Sequence, residues 1–215
     1  MIPDRENKIQ RIINSIKNRR WRSSEKSTGL YFYKRVLNQR KGSENITIFL
    51  NEPYNIELLY ATLACWGMDK GTVGSGPRMR WFEEFKNNIY DCEKYFIPLD
   101  SFKRHDWGSD KHLNCLRQAY MNLNLMQTNG LIVSNSKLLH FLFPDVLMPV
   151  DRRHILSWIY DGRMQIDAVD EYIEVVKFSF DVMGQQINWE DYLNDNGNTT
   201  VPKLIDNVIW KLKEK

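Results

Sequence analysis

The segment Pro53-Tyr-Asn-Ile-Glu-Leu-Leu-Tyr-Ala-Thr-Leu-Ala-Cys-Trp66 is almost wholly apolar after Glu57. A helix that is apolar on most of its faces belongs in the interior of a domain. The residues just before the segment, Asn51-Glu-Pro53, are a helix-start signal, and Gly67 ends the apolar pattern. The sequence therefore predicts a central helix with other helices packed around it.

The flanking segments also carry apolar residues at helical spacing, as Ile9, Ile12, Ile13 and Ile16 do. Ile46 to Leu50 is interpreted as the entry to the central helix, and 91–98 as a further short turn. The predicted fold is all-α, a single compact domain over residues 1–215 with about eight or nine short helices and little or no sheet. The predicted helices cover 4–22, a stretch after Gly29, 53–66, 78–90, 113–125, 134–143, 152–160, 167–183 and 202–212.

Composition excludes several classes of protein. No stretch approaches the roughly 20 consecutive apolar residues that span a bilayer, and the first residues lack the apolar run of a signal peptide. The three cysteines are scattered, so neither a disulfide framework nor a thiolate zinc site is indicated. We therefore expect a soluble, cytoplasmic protein without a membrane partner.

Charge is distributed unevenly along the chain. Residues 1–42, the basic N-terminal arm, hold 12 Lys and Arg against 3 Asp and Glu, a net charge of +9, and the remainder has a net charge of −6. A basic arm on an acidic body is a plausible footprint for nucleic-acid phosphates. A solvated helix face explains the same charge equally well. The residues predicted to hold phosphates are Arg11, Lys17, Arg19, Arg20 and Arg22.

The strongest local signal for chemistry runs from Ser134 to Asp151. Lys137 and His140 are three residues apart and share one helix face in apolar company, where each is expensive to bury without a partner. A proline-containing turn then returns the chain to Asp151. One interpretation is a site in which an amine, an imidazole and a carboxylate converge. The other is that Asp151 caps its own helix and Lys137 pairs with it as a structural strut.

Three further segments contain polar residues that could form a site. Trp66-Gly-Met-Asp69 leads into a glycine-rich loop whose amides suit a phosphate, but the loop lacks a Walker pattern and is also explained as a connector. Lys203-Leu-Ile-Asp206-Asn207 places polar groups inside an apolar helix, either for a ligand or as a structural pair. The spacing of potential ligands from His105 to His112 matches no metal motif. No metal and no cofactor is predicted.

The run Leu147-Met-Pro-Val-Asp151-Arg-Arg-His-Ile155 resembles a segment of the helical base-excision DNA glycosylases of the helix-hairpin-helix superfamily. In that family the segment reads hydrophobic-Pro-Val-Asp-Thr-His-Val, and its Asp is the catalytic carboxylate. A preceding hairpin, Gly-Val-Gly-x-Lys-Thr-Ala, carries a Lys that is the Schiff-base nucleophile in some members. The resemblance implies a catalytic Asp151 and places Lys137 on the lysine-bearing helix. The hairpin glycines are replaced here by Leu131-Ile-Val-Ser-Asn-Ser136.

A second resemblance, to an uncharacterised bacterial and archaeal family, spans Leu63 to Asn207. It rests on Leu-Ala-Cys-Trp-Gly-Met, on Ser-Lys-x-Leu-His-x-Leu-x-Pro-Asp followed by Pro-x-Asp-Arg, and on Lys-x-Ile-Asp-Asn. This resemblance brings no activity with it. It implies that one site contains Trp66, Lys137, His140, Asp151, Arg152, Asp206 and Asn207.

The leading functional expectation is a DNA glycosylase-like enzyme that excises a modified or damaged base. The resemblance implies that Asp151 stabilises the sugar cation or activates a nucleophile, with Lys137 as nucleophile or electrostatic partner. Trp66 or Trp107 is expected to stack on the flipped base. One alternative is a non-catalytic nucleic-acid-binding module. The other is a helical domain that binds a small anion or a protein partner near Trp66, Lys137 and Arg152.

Overall fold

A computed structural model of the protein describes residues 1–18, 28–69, 78–102, 106–128, 131–162, 169–194 and 197–214. Within these ranges the chain folds into helices and has only isolated β-bridges, with no β-strand, which confirms the all-α class. The same ranges hold ten α-helices, slightly more than predicted: α1 Arg5–Lys17, α2 Thr28–Gly42, α3 Ile46–Asn51, α4 Pro53–Leu63, α5 Phe82–Asp100, α6 Asp110–Asn122, α7 Leu131–Leu142, α8 Ser157–Ile159, α9 Val169–Met183 and α10 Val201–Lys213.

The predicted central helix is α4. It packs against α2, α5 and α7, and Ile56, Leu59 and Leu63 on it are fully or almost fully buried. Beyond Leu63 the chain continues as a wider, π-type turn, Ala64–Met68, in which Gly67 adopts a left-handed conformation with φ of 80°. Glycine suits this position because it has no Cβ to clash there. The turn ends the helix and directs Trp66 toward α2.

Two segments differ from the sequence prediction. Ile46–Asn51 is a helix of its own rather than an entry to the next one, because the Asn45 side chain accepts a hydrogen bond from the Ile48 amide and caps it. The helix predicted from residue 78 begins only at Phe82. Its expected first turn is held extended by hydrogen bonds from Arg80 to Leu125 and from Gln127 to Arg78. That helix then continues to Asp100 and absorbs the predicted turn at 91–98.

A contiguous apolar core extends from Ile2 to Ile209. Helix α10 packs against α1, α9 and the turn Arg152–Leu156, and α7 packs against α2 and α4. Polar side chains cap two of these elements: Thr200 caps α10, and Asp151 caps the turn Arg152–Leu156. Together these contacts bring α2, α4, α7, α10 and the chain around Asp151 to a common place.

Among the residues that the structure describes, the longest helix is α5, with 19 residues. No helix in those ranges combines the length and the apolar composition needed to cross a membrane. The predicted helix at 4–22 is present as α1 up to Lys17, and the remainder of that prediction beyond residue 18 lies outside the described residues.

Candidate functional site

A cavity of about 340 Å³ lies where α2, the end of α4, α7 and α10 meet the chain around Asp151. This volume is within the range of small-molecule sites, which combine apolar and aromatic walls with a few polar groups. Its aromatic lining residues are Tyr33, Trp66 and Trp210, and its charged ones are Lys137, Asp151, Lys203 and Asp206. Four of the seven residues expected in one site, Trp66, Lys137, Asp151 and Asp206, therefore share a single pocket.

Asp151 caps the turn that follows it, as one interpretation of the sequence predicted, and it also lines the pocket. Its backbone is extended and its Oδ1 accepts a hydrogen bond of 2.7 Å from the His154 amide, so it caps the following turn. Nδ1 of His154 lies 3.2 Å from the same oxygen and 3.3 Å from Oδ2. The side chain remains 39% exposed and lines the pocket. Its carboxylate is thus held in one orientation while it faces the cavity.

Lys137 reaches the pocket from α7. Its ammonium donates a hydrogen bond of 2.8 Å to the backbone oxygen of Trp66, at the end of the α4 extension. Carbonyl groups at a helix C-terminus lack partners within the helix and attract cations. The ammonium also lies 5.8 Å from the centre of the Trp66 ring.

Trp66 is held on several sides. Its indole N–H donates to the Gly29 carbonyl at 3.2 Å, and the edge of Phe141 meets it with ring centres 4.9 Å apart. Lys203 places its ammonium 5.0 Å from the ring centre, within the range of a cation–π contact. The indole therefore lies against both lysines of the pocket and against Phe141.

Lys203 and Asp206 form a buried ion pair on one face of α10, with 2.5 Å between the ammonium and Oδ2. Burial raises the pKa of the Asp206 carboxyl, and the adjacent Lys203 opposes that rise. The sequence drew attention to Asp206, but Lys203 was not assigned to the site. Its spacing of three residues from Asp206 was the available signal, because such residues are neighbours on a helix.

His140 lies behind the pocket rather than in its lining. It is fully buried, with Nδ1 2.6 Å from the Leu147 carbonyl and Nε2 2.7 Å from the Tyr33 hydroxyl. Nδ1–H donates to the carbonyl, so Nε2 accepts from Tyr33. Burial lowers the pKa of His140 to about 3 and keeps it neutral. His140 holds the Tyr33 hydroxyl through this hydrogen bond, and Tyr33 does line the pocket. Burial raises the pKa of Tyr33.

The two other expected site residues also lie outside the lining. Asn207 is turned toward the preceding loop, where its amide donates to the Gly197 carbonyl at 3.0 Å and to Asn198 at 2.7 Å. Arg152 follows Asp151 but does not line the cavity. Trp107, considered as a stacking residue, packs on Phe180 in a different region, with ring centres 6.4 Å apart. Asn207 is thus hydrogen-bonded to the preceding loop rather than to the cavity.

The basic arm is only partly described. Arg11 lies over the Trp158 ring at 5.4 Å, and Lys17 is exposed at the end of α1. The predicted phosphate contacts Arg19, Arg20 and Arg22 lie outside the described residues. Of the arm's other cations, Arg5 pairs with Asp181 and Lys8 with Asp161.

Sequence reasoning missed several pocket residues: Tyr33, Cys65, His154, Lys203 and Trp210. His154 follows Asp151 by three residues, and that spacing at a helix start was a usable signal. Trp210 lies against His154 with ring centres 4.5 Å apart and the ring planes tilted by 33°, a contact between residues far apart in sequence that has no local signature. In the described ranges no group of three or more His, Cys, Asp or Glu side chains is placed to hold a metal ion.

No protein-family model, no curated protein and no solved structure significantly matches this chain. The site must therefore be interpreted from its own chemistry.

Proposed function

We propose that the protein is a DNA glycosylase-like enzyme that binds a modified or damaged base in this pocket and cleaves its N-glycosidic bond. The observation that carries the proposal is the shared pocket of Asp151 and Lys137, two residues 14 apart in sequence that the glycosylase resemblance pairs. Aromatic walls and an oriented carboxylate suit a flipped base attached to a sugar that becomes cationic.

In the proposed reaction the glycosidic bond breaks and its electron pair passes to the base nitrogen, which then takes up a proton. The sugar carbon becomes positively charged, and the Asp151 carboxylate stabilises that charge. Water adds to the carbon and loses a proton to Asp151 or to solvent. The hydrogen bonds from His154 hold the carboxylate in place during these steps.

We assign water rather than Lys137 as the nucleophile. An attacking amine must be unprotonated and free to approach carbon. Lys137 instead donates to the Trp66 carbonyl and lies against the indole ring. Its role in this proposal is electrostatic, so borohydride is expected to trap no covalent complex with DNA. DNA itself is held by the exposed basic residues, in a manner that depends on salt but not on sequence.

The test is base release from duplex and single-stranded DNAs that carry damaged and hypermodified bases. Abasic sites are detected by alkaline cleavage. Asp151→Asn is the informative variant, because asparagine also caps helices and keeps the local fold. Asp145→Asn, at an exposed carboxylate six residues earlier, is the matched control. Release by the wild type and by Asp145→Asn, with loss in Asp151→Asn, supports the proposal.

The other outcomes decide between the alternatives. Equal release by Asp151→Asn and wild type would remove Asp151 from the mechanism. No release from a broad panel, together with salt-sensitive DNA binding that survives in Asp151→Asn, indicates a non-catalytic binding module. Absence of both release and DNA binding indicates a small ligand or a protein partner.

A further inference from the structure

We infer that the pocket recognises an uncharged planar base that presents a hydrogen-bond donor next to an acceptor, with Lys203 and Asp206 reading that edge and Trp210 stacking on the ring. The inference rests on the proposed function and deepens it, because it names the class of base and the residues that select it. It follows from the charges, the aromatic contacts and the ion pair of the pocket.

The charged residues that line the pocket balance one another. Among the described lining residues, the two lysines Lys137 and Lys203 are matched by the two aspartates Asp151 and Asp206. A phosphate or carboxylate placed in this cavity would add a negative charge that has no unbalanced cation to meet it. Uncompensated charge in a partly buried site is expensive. A neutral polar ligand keeps the balance and can still use every one of these groups.

Two tryptophan rings, Trp66 and Trp210, line the pocket, and they differ in what already contacts them. Trp66, the residue expected to stack, has its ring in contact with two ammonium groups at 5.0 and 5.8 Å and with the edge of Phe141. Trp210 lines the same cavity, and 38% of it is exposed. The tilted His154 ring packs against it, with ring centres 4.5 Å apart, and His154 is itself bound to Asp151. Trp210 is therefore the stacking surface beside the proposed catalytic carboxylate.

The ion pair of Lys203 and Asp206 supplies a hydrogen-bond donor next to an acceptor. Asp206 is only 8% exposed, and among the described residues Lys203 is the hydrogen-bond donor to it, through Oδ2. Oδ1 remains as an acceptor in the pocket lining, beside an ammonium that has three N–H donors in all. An acceptor next to a donor complements a base edge that offers N–H beside C=O, or NH₂ beside a ring nitrogen. A base that is methylated on that edge cannot make this pair.

The experiment measures binding of free bases to the full chain by isothermal titration calorimetry. The probes are hypoxanthine, adenine and uracil, which carry such an edge, with caffeine and inorganic phosphate as negative probes. We expect at least one of the three bases to bind tenfold or more tightly than caffeine and phosphate. Trp210→Ala is expected to weaken that binding by about tenfold or more, the size of a lost base–aromatic stack.

Asp206→Asn is expected to weaken binding of the base as well, and to reduce the preference of the pocket for that base over caffeine. Trp81→Ala is the matched control, because Trp81 is 75% exposed outside the pocket, and it should bind as the wild type does. Thermal unfolding of each variant identifies loss of fold, and Trp210→Ala keeps the test valid if Asp206→Asn does not fold. Tighter binding of phosphate, equal binding of caffeine, or full binding by Trp210→Ala would overturn the inference.

This experiment separates the inference from the proposed function. Base binding that depends on Trp210 and Asp206 without any base release would remove the glycosylase proposal and leave the recognition site. Base release that is undiminished in both variants would remove the recognition site and leave the glycosylase proposal.

Discussion

Acidification should destabilise the fold through His140. This imidazole is completely buried, donates to the Leu147 carbonyl and accepts from Tyr33, an arrangement that only the neutral ring can make. Burial lowers its pKa from 6.5 to about 3. The unfolded chain therefore takes up a proton on this residue as the pH falls below 6.5, whereas the folded chain does so only near 3. Stability that is fully present above pH 6.5 is lost between these two values.

The magnitude follows from the difference between the two pKa values. Each pH unit in this window removes about 1.4 kcal/mol, so the loss is about 2 kcal/mol at pH 5 and about 5 kcal/mol at pH 3. His112, whose pKa burial lowers to about 4, acts in the same direction. Domains of this kind are stable by only about 5–15 kcal/mol in total. The protein is therefore expected to lose much of its stability by pH 5.

The assay is urea unfolding followed by circular dichroism at intervals from pH 7.5 to 4.5. His140→Gln is expected to be less stable at pH 7.5, because it disturbs the contacts with Tyr33 and Leu147. Its stability should then fall less steeply with acid than that of the wild type, by about 1.4 kcal/mol per pH unit below 6. Parallel curves for the two proteins would refute the reasoning, since the buried imidazole would then not be the titrating group.

Three other substitutions test the pocket and its supports. Lys203→Met should destabilise by about 3–5 kcal/mol because it leaves Asp206 buried without its partner. Burial raises the pKa of Asp206, so its ionisation opposes folding as the pH rises from 3.8 through that raised pKa, and urea unfolding should show a larger loss at neutral pH than below pH 3.8. Asn207→Ala should lower the free energy of unfolding by about 1–3 kcal/mol, the cost of unsatisfied buried groups, and a change in base binding measured by calorimetry would contradict its structural role. Gly29→Ala places a Cβ 3.1 Å from the Trp66 ring. It should shift tryptophan fluorescence and cost about 1–3 kcal/mol, and an unchanged spectrum would contradict the close contact.

The fold class could be predicted because apolar residues repeat at helical spacing along most of the chain, most clearly in 53–66. The start of α5 could not be predicted in this way. Met79 and Phe82 look like members of one helical stripe, yet the backbone at Arg80 pairs with Leu125. A hydrogen bond between segments 45 residues apart leaves no trace in local periodicity, and tertiary pairing outweighs a weak helical preference.

The candidate site was predictable where its residues lie close together in sequence. Asp151 and Lys137 were found because one motif carries both. His140 was also selected, since a buried histidine needs partners, but its partner is Tyr33, 107 residues away, and the imidazole lies behind the pocket lining. Trp210 was missed for a related reason, because its contact with His154 spans 56 residues and becomes visible only in three dimensions.

Helix α10 supplies Lys203, Asp206 and Trp210 at intervals of three and four residues along one side. An α-helix turns by about 100° for each residue, so one inserted or deleted residue between the Thr200 cap and Lys203 would rotate all three out of the cavity together. The positions of the ion pair and of the Trp210 ring in the cavity thus depend on the same helical register. A related chain that shares this site should therefore be recognised by the spacing Lys-x-x-Asp-x-x-x-Trp, rather than by any one of the three residues.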